Sequence, residues 1–547
     1  MNLTPKSTFA QRLAFLFAAT VYAALSASSV QAQFLWSERV ASATSWPQSE
    51  PNIGLALDTN DNCYVTGYFD GTNDFGGVTL TNQSAGGSDI FVAKYNSAGA
   101  LQWAQRAGGT AINYGRGIGV DTNGSIYVTG GFQGPANFGG INLPAASGEE
   151  FFLAKYNNAG TVQWVQSSSG GSDDVYGIGL TVDDAGNSYA LAVVEDLGGA
   201  GASVTFGSTT VNIPANGGST MTILVKYDNT GAVQWAQLFA SSQESYATKV
   251  AVDAAGNVYV RGTFFSDMTI GASNLVVSPA GSTKNMFIAK FNNSGALVWV
   301  EQPTGGDVDE GGVAVDPAGN VYVTGAYDTN LDFGGGILLT NAANNNAIFG
   351  DAFVAKYNSS GVIQWAQPAG GTNGGFYWDI ALDAQTNIYA VGFLDSDAAV
   401  AKYSPAGKIQ WTYSANGLPA SPVASLVGKC AVDSVGHCYL AGLYQGTETF
   451  WTNSLQPQET WNFFLTETVT NPAVQFTADP ISGLPPLIVQ FNSTNVDSQG
   501  SSITSWNWNF GDGGTSTLQN PSYTYTNTGT FNPSFIATNS HNVAVFG

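Results

Sequence analysis

Hydrophobic and polar residues alternate in short runs along residues 34–469, and the runs return in a fixed order. An apolar stretch ends in Asp, as in GIGVD (117–121), and a turn leads to a second apolar stretch, GSIYVTG (124–130). A Gly-rich excursion follows, then an alternating stretch such as FVAKYN (353–358). A turn containing Gly then introduces a stretch with Trp, VIQWAQ (362–367). Period-two alternation bounded by Gly, Asn, Asp and Ser predicts strands joined by tight reversals. Each pass is therefore one antiparallel four-stranded unit, and its repetition predicts a β-propeller.

Counting fixes the phase. The strand-ending aspartates are Asp58, Asp121, Asp183, Asp253, Asp316, Asp383 and Asp433, and the tryptophans are Trp36, Trp103, Trp164, Trp235, Trp299, Trp365 and Trp411. The third strand ends in Lys94-Tyr95, Lys155-Tyr156, Lys226-Tyr227, Lys290-Phe291, Lys356-Tyr357 and Lys402-Tyr403, and NFFLTET (462–468) is a further copy without Lys-Tyr. No Trp strand follows that copy, whereas QFLWSERVAS (33–42) carries Trp36 with no earlier strands of a unit before it. The expected fold is all-β: a seven-bladed β-propeller closed by the N-terminal strand joining the last blade. The excursion between second and third strands reads DFGG (74–77), NFGG (137–140), TFGS (205–208) and DFGG (332–335). The sixth unit skips it, passing from GFLDSD (392–397) to AAVAKY (398–403), which predicts a notch in the rim that these excursions would line.

AVDAAGNVYVRG (251–262), AVDPAGNVYVTG (314–325) and the recurring AK[YF]N-x-x-G-x-x-x-W phrase resemble the bacterial seven-bladed β-propeller repeat family, SBBP. That resemblance implies the fold far more firmly than an activity. The Trp phrase is also similar to the tryptophan-docking repeats of pyrroloquinoline-quinone dehydrogenases, implying Trp packing between blades. The adjacent cysteines of those enzymes are absent, so no cofactor is carried over. After residue 473 the pattern changes. Trp506-x-Trp508-x-Phe510-Gly511-Asp512-Gly513, then Asn520-Pro521-x-Tyr523-x-Tyr525 and Gly529, resembles a PKD domain, an immunoglobulin-like β-sandwich. In it Asp512 is expected to serve a turn, and Pro533 to delay a strand or place it at an edge.

The organisation expected is a signal peptide over 1–32, the propeller over 33–469, a linker over 470–473 and a PKD-like sandwich over 474–547, truncated at its C-terminus. Lys6 and Arg12 precede the apolar run LAFLFAATVYAAL (13–25), and Val30-Gln31-Ala32 fits a small-x-small cleavage site. A secreted or cell-surface protein follows, with no later apolar stretch long enough to span a bilayer. The net charge of −23 excludes nucleic acid as a partner, since phosphates require neutralising cations. Three cysteines, Cys63, Cys430 and Cys438, are too few for a disulfide framework, leaving at most one bridge.

No catalytic constellation is legible, and an enzyme is the less favoured reading. The two histidines, His437 and His541, fall one to each domain, and His437 stands where most of the second-strand turns have Asn. The recurring lysines are expected beside the strand-ending Asp of their own or the next unit. Acid pairs at Glu149-Glu150, Asp173-Asp174 and Asp307-Val308-Asp309-Glu310 suit a solvated face, with calcium ligation or glycoside chemistry as alternatives. No metal or cofactor is assigned. Seven residues before the strand-ending Asp stand Pro51, Tyr114, Tyr176, Tyr246, Asp309, Phe376 and Leu426, with Arg116, Glu310, Tyr377, Trp378 and Asp379 beside them. Two readings are open: a rim of aromatics that stacks on sugar rings, or a continuation of the interblade core, whose parity the seven-back position shares. The function expected is an exported, monomeric, non-catalytic binding or adhesion protein recognising polysaccharide or extracellular protein. The alternative is a carbohydrate-active hydrolase or lyase.

Overall fold

The computed structural model describes residues 19–21, 32–43, 53–83, 86–144, 148–170, 174–195, 203–214, 220–276, 284–341, 350–369, 374–394, 397–414, 425–434, 436–444, 448–450, 453–455, 457, 461–470, 476–493, 503–531, 533–539 and 544–546. These residues form strands and turns without a helix. They divide into one compact unit over Phe34–Val469 and another comprising Met1–Gln33 with Thr470–Gly547.

In the larger unit each sequence repeat is one antiparallel sheet. The second repeat runs Asn113–Val120, Ile126–Gln133, Glu149–Tyr156, Val162–Ser169, each strand pairing with the next. In the last repeat the order is Ser425–Val432, Cys438–Tyr444, Trp461–Thr470 and then Ala32–Ala43. Thr466 Oγ1 donates to the Trp36 carbonyl at 2.7 Å, and Trp36 Nε1 donates to Glu467 at 2.6 Å.

The turn after each strand-ending Asp is built by that side chain. Oδ1 of Asp253 accepts the N–H groups of Ala255 and Asn257, while Oδ2 accepts Asn257 Nδ2 and Tyr259 Oη. The same set recurs at Asp58, Asp183, Asp316 and Asp383. An Asx turn with a carboxylate sharing four donors is a stronger reversal than glycine alone provides. Above it, the third-strand lysine lies over the second-strand Tyr ring, from 4.7 Å for Lys402 over Tyr389 to 5.1 Å for Lys94 over Tyr64. Lys94 and Lys402 also reach the Asp of their own repeat, at 3.9 and 3.5 Å. Lys155, Lys226 and Lys290 instead donate to a turn carbonyl of the next repeat.

The tryptophans join repeat to repeat. Trp103 Nε1 donates to the Asn158 carbonyl at 3.0 Å, Trp235 to Asn293 at 3.0 Å and Trp299 to Ser359 at 3.2 Å, each on the following repeat's turn between third and fourth strands. Trp36 does the same to Ser97 at 3.0 Å. The turn glycine sits flat on the indole. A Cβ on Gly160 would meet Trp103 at 2.9 Å, on Gly295 Trp235 at 2.7 Å, on Gly407 Trp365 at 2.9 Å and on Gly99 Trp36 at 2.5 Å. These glycines also have positive φ, 78° at Gly160 and 83° at Gly295, so the one residue lacking Cβ meets both demands. Trp411 differs: its Nε1 is buried with no partner among the described residues.

The Gly-rich excursions are hairpins, and they dock sideways. Ala136–Phe138 pairs with Ala107, Gly108 and Gly109 on the fourth strand of the preceding repeat. Phe206 and Thr205 pair with Ser168 and Ser169, and Met268–Ile270 with Phe239, Ala240 and Ser241. These three extend the neighbouring sheet, because each begins with extended residues that add to an open edge, whereas Thr72–Asp74 and Thr79–Thr81 form a two-stranded sheet of their own.

The smaller unit pairs Phe476–Asp479, Leu487–Ser493 and Ser522–Tyr525 in one sheet. Thr515–Ser516, Ile503–Asn509, Ser534–Asn539 and Ala544–Phe546 make another. Trp508 is wholly buried between them, stacked 4.4 Å from Phe535, with Nε1 donating to Leu518. Asp512 accepts the Gly514 N–H and Tyr523 Oη, a turn role, and the strand starting at Ser534 begins just past Pro533. Ala19–Val21, inside the expected leader, pairs with Ser482–Gly483 and Thr530–Phe531. Cys63, Cys430 and Cys438 are free buried thiols, so the bridge left open by the cysteine count is not made.

The glycine contacts predict a graded pair of variants. Gly140→Ala, at positive φ with nothing within 4 Å, should cost about 1–2 kcal/mol for conformation alone. Gly160→Ala should add about 1–3 kcal/mol of overpacking against Trp103. Urea unfolding midpoints check this; equal losses would refute the indole contact.

Candidate functional site

The first strands of the repeats converge on a cavity of about 120 Å³ whose lining comes from all of them, including Gly54, Gly117, Gly179, Lys249, Asp379 and Lys429. Four residues before the strand-ending Asp, the sequence has Gly at 54, 117, 179 and 312, and a charged residue at Lys249, Asp379 and Lys429. Small residues on some strands leave room for long side chains from others. Arg116 joins them, so three cations and one carboxylate share the cavity in a chain with only 16 lysines and arginines. Asp379 Oδ2 also accepts the Cys430 N–H at 3.2 Å.

Just beyond this position the first strands bulge. The register slips at Thr129/Gly130, Gly177/Gly179, Ala247/Lys249, Tyr377/Asp379 and Val427/Lys429. A bulge inverts parity for everything beyond it. The seven-back residues therefore share a face with positions two and four back, not with the apolar residues one and three back. The parity that would carry them into the Val120 and Ile118 row is broken on these strands, while Tyr114 still packs against a buried cluster and Phe376 is itself buried. Tyr377, six back, takes that row and is fully buried.

The predicted residues separate into groups. Tyr114 and Tyr176 are half-buried, their rings 6.5 Å apart, and the Arg116 guanidinium lies 4.8 Å from each ring centre. Tyr114 Oη donates to Glu149 Oε1, and Tyr176 Oη donates to Glu195 Oε1 at 2.5 Å. Asp174 Oδ1 accepts the Glu149 N–H at 2.7 Å. Burial pushes the Glu149 carboxyl up to about 8, and the Asp174 and Glu195 charges push it the same way. Tyr246 is tied to Thr220 at 3.4 Å. Asp309 pairs with Lys284 at 2.9 Å, and Asp307 accepts the Lys284 N–H, so this acid run is held by a lysine. Glu310 is half-buried beside it. Phe376 is buried, 4.1 Å from Trp378 and stacked on Phe393. Trp378 Nε1 finds no partner among the described residues. Pro51 and the Leu426 side chain lie outside them. Glu195 and the cavity lysines escaped sequence reading. Lys249 and Lys429 left a signal, charge in a column otherwise glycine; Glu195 left none.

Among the described residues, one group of donor atoms is close enough to hold a metal ion, Asp433, His437 and Glu467 in the last repeat. Comparison with the other repeats explains it without one. There, a lysine lies near the Asp; here Glu467 stands at the lysine position and His437 at the Asn position. His437 Nδ1 is 3.0 Å from both Asp433 and Glu467. Burial pulls the imidazole pKa down, but hydrogen bonds and charge from the two carboxylates outweigh it and hold the pKa at about 9. The imidazolium thus supplies the cation that the lysine supplies elsewhere.

A folded pKa above the ordinary 6.5 gives stability that is complete below pH 6.5 and is lost as pH rises through 9. The melting temperature of the wild type should fall over that window more steeply than that of His437→Asn. Glu467→Lys and His437→Asn should each destabilise alone and, combined, recover about 1–2 kcal/mol through restoration of the Asp–Asn–Lys set. Additive losses would refute the substitution of one cation for another.

Comparison with known proteins gives two family models: a beta-propeller repeat over residues 102–130 and a PKD domain over residues 469–545. An uncharacterized WD repeat-containing protein of Acanthamoeba polyphaga mimivirus is 24% identical over 351 residues, 54% of this chain and 24% of that protein. The chain thus spans about a quarter of this relative's length. Similar solved structures include the Dos1 propeller (TM-score 0.38, 7% identity, covering 80% of this chain and 94% of that one). A protein of unknown function from Dyadobacter fermentans gives 0.36, 9% identity and coverage of 79% and 99%, and the polysaccharide lyase Uly1 gives 0.39, 10%, 82% and 96%. The chain carries an SBBP β-propeller repeat and a C-terminal PKD domain.

Proposed function

We propose that residues 33–469 form a seven-bladed propeller closed by the N-terminal strand, and that it serves as an exported binding or adhesion module for polysaccharide or extracellular protein at the cell surface. Closure is supported by the sheet that joins Ala32–Ala43 to Trp461–Thr470, by the Trp36 contact with Ser97 and Gly99 of the first repeat, and by an axial cavity with lining from every repeat. A ring closed by hydrogen bonds cannot open without breaking a sheet. Removal of residues 34–42 should lower the melting temperature by about 10 °C or more. An unchanged melting curve would refute closure.

The observation that carries the binding reading is Arg116 held between Tyr114 and Tyr176, with Glu149 and Glu195 on the tyrosine hydroxyls. Half-buried aromatic faces beside a fixed cation and carboxylates suit a sugar ring, which offers C–H faces for stacking and hydroxyls for hydrogen bonds. The alternative, a hydrolase or lyase, draws on Glu149, whose raised pKa leaves it protonated at neutral pH and able to act as a general acid. Glycan-array and protein-ligand screens on the full chain should give binding that Tyr114→Ala and Tyr176→Ala each weaken about tenfold and Glu149→Gln retains. Chain cleavage of a bound glycan, abolished by Glu149→Gln, would establish the enzyme instead. Binding indifferent to the tyrosine variants would move the site elsewhere.

A further inference from the structure

The sideways-docking hairpins expose one vacancy in the pattern. Five of the hairpins drive an apolar residue under the adjoining sheets: Phe75, Phe138, Phe206 and Ile270 are completely buried, and Phe333 nearly so. Phe138 lies 4.9 Å from Phe152, Phe206 5.5 Å from Phe151 and Phe333 5.6 Å from Phe353. The tips also cover the first residue of their own fourth strand. A Cβ on Gly139 would lie 3.1 Å from Val162, and one on Gly207 3.3 Å from Val233.

The sixth repeat has no hairpin, since Ile388–Leu394 is followed by Asp397–Tyr403 after two residues. The fourth strand it would cover, Ile363–Ala369, is the edge of its sheet, as Leu297–Glu301 and Ile409–Ser414 are of theirs, but here no hairpin lies beside it among the described residues. A cavity of about 550 Å³ opens there, lined in part by Pro368, Ala369, Tyr377, Leu394, Tyr403 and Ile409. Ile409, counterpart of Val162 and Val233, is 49% exposed where those two are half-covered. The chain has partly filled the deeper space. Tyr377 stands where other repeats have Gly115, Gly177 or Ala247, and its hydroxyl meets that of Tyr403 at 3.1 Å. In the first repeat the Tyr403 counterpart, Tyr95, reaches the carbonyl of Phe75 at 3.5 Å. The outer part, under Ile409 and beside Ala369, stays open among the described residues.

We propose that this slot is a docking site for a partner polypeptide that presents a short hairpin tip with one phenylalanine or isoleucine, as the chain's own hairpins do in the equivalent slots. Those slots define what fits: a few extended residues, one apolar side chain inward and a Gly-rich tip over the fourth strand. Pro368 has no N–H and bars a long added strand, so recognition rests on the inserted side chain. The slot is separate from the Tyr114–Arg116–Tyr176 group, and its occupant is independent of any ligand there.

The test uses the full chain and a backbone-cyclised, fluorescent peptide of the chain's own residues 134–144 (GPANFGGINLP), whose closure offsets the weakness of an isolated hairpin. Saturable binding is expected. The same peptide with Ala in place of its Phe should bind at least about tenfold more weakly. Ile409→Glu and Thr412→Arg, both at exposed positions, should each weaken binding similarly while leaving the melting temperature within experimental scatter. Tyr114→Ala should leave peptide binding intact, which separates this site from the axial one. The proposal is overturned by no binding at millimolar peptide, by equal binding of the Ala peptide, or by indifference to both slot variants. It is also overturned if the wild type sediments as a dimer that Ile409→Glu dissociates, since the occupant is then a second copy.

Discussion

The contact of an indole face with a glycine of the next repeat is the constraint on which the larger unit rests. A flat ring 2.5–3.1 Å from where a Cβ would stand leaves no room for any other residue, and the indole N–H is used on the same turn's carbonyl. Because the glycine comes four residues before the tryptophan of its own repeat, as in Gly160 and Trp164, one phrase both receives the preceding repeat and grips the following one. Spacing within the phrase therefore sets the rotation between sheets. This explains why Gly-x-x-x-Trp is kept in step through the chain while the excursions vary in length and composition. Burial supplies the bulk of the stability; this contact supplies the register in which burial occurs.

Much of this was legible because it recurs. The strand-ending aspartates, the Asn-x-Tyr turns and the Trp strands are local patterns, and a local pattern repeated along the chain is read with little error. Counting alone pointed to Trp36 as the fourth strand of the last repeat. What escaped reading depends on contacts between repeats. The direction in which NFGG and TFGS dock is decided by an open edge on another sheet, about which the hairpin's own residues say nothing. The bulges before the strand-ending Asp have no fixed residue type, with Arg116, Ile178, Thr248 and Trp378 all at the extra position. Alternation counted through them therefore loses its parity for the seven-back residues. The acid pairs were visible, yet only folding sets Glu149 under Tyr114 while binding Asp309 to Lys284.

Two repeats depart from the rule, and each carries its own repair. In the last, the lysine becomes Glu467, and a second departure at His437 returns the missing positive charge to the same spot. In the sixth, the hairpin is lost, and Tyr377 grows into the space from a position that is Gly or Ala in several others. The two repairs differ in completeness. An imidazolium between two carboxylates returns the lost cation, though one carboxylate more than in the other repeats shares it. A single tyrosine replaces the deep part of a hairpin and leaves its outer part open.

That asymmetry bears on where such a protein can recognise anything. The cavity among the first strands is narrow and shared by Arg116, Lys249, Asp379 and Lys429, so it leaves no room for a bulky ligand. Three fourth strands, Leu101–Gly109, Val162–Ser169 and Val233–Ser241, are paired with the chain's own hairpins, which removes them as templates for foreign strands. Two kinds of surface then differ from the repeating background: the aromatic group around Arg116, where residue identity breaks the repeat, and the uncovered edge at Ala369, where length breaks it. In a scaffold built by copying one unit, specificity has to come from places where the copy was altered, since a feature present in every blade cannot single out one partner. The departures are accordingly the better guide to function, and the strictly repeated Asp, Tyr, Lys, Gly and Trp positions are the frame that holds them at fixed separation.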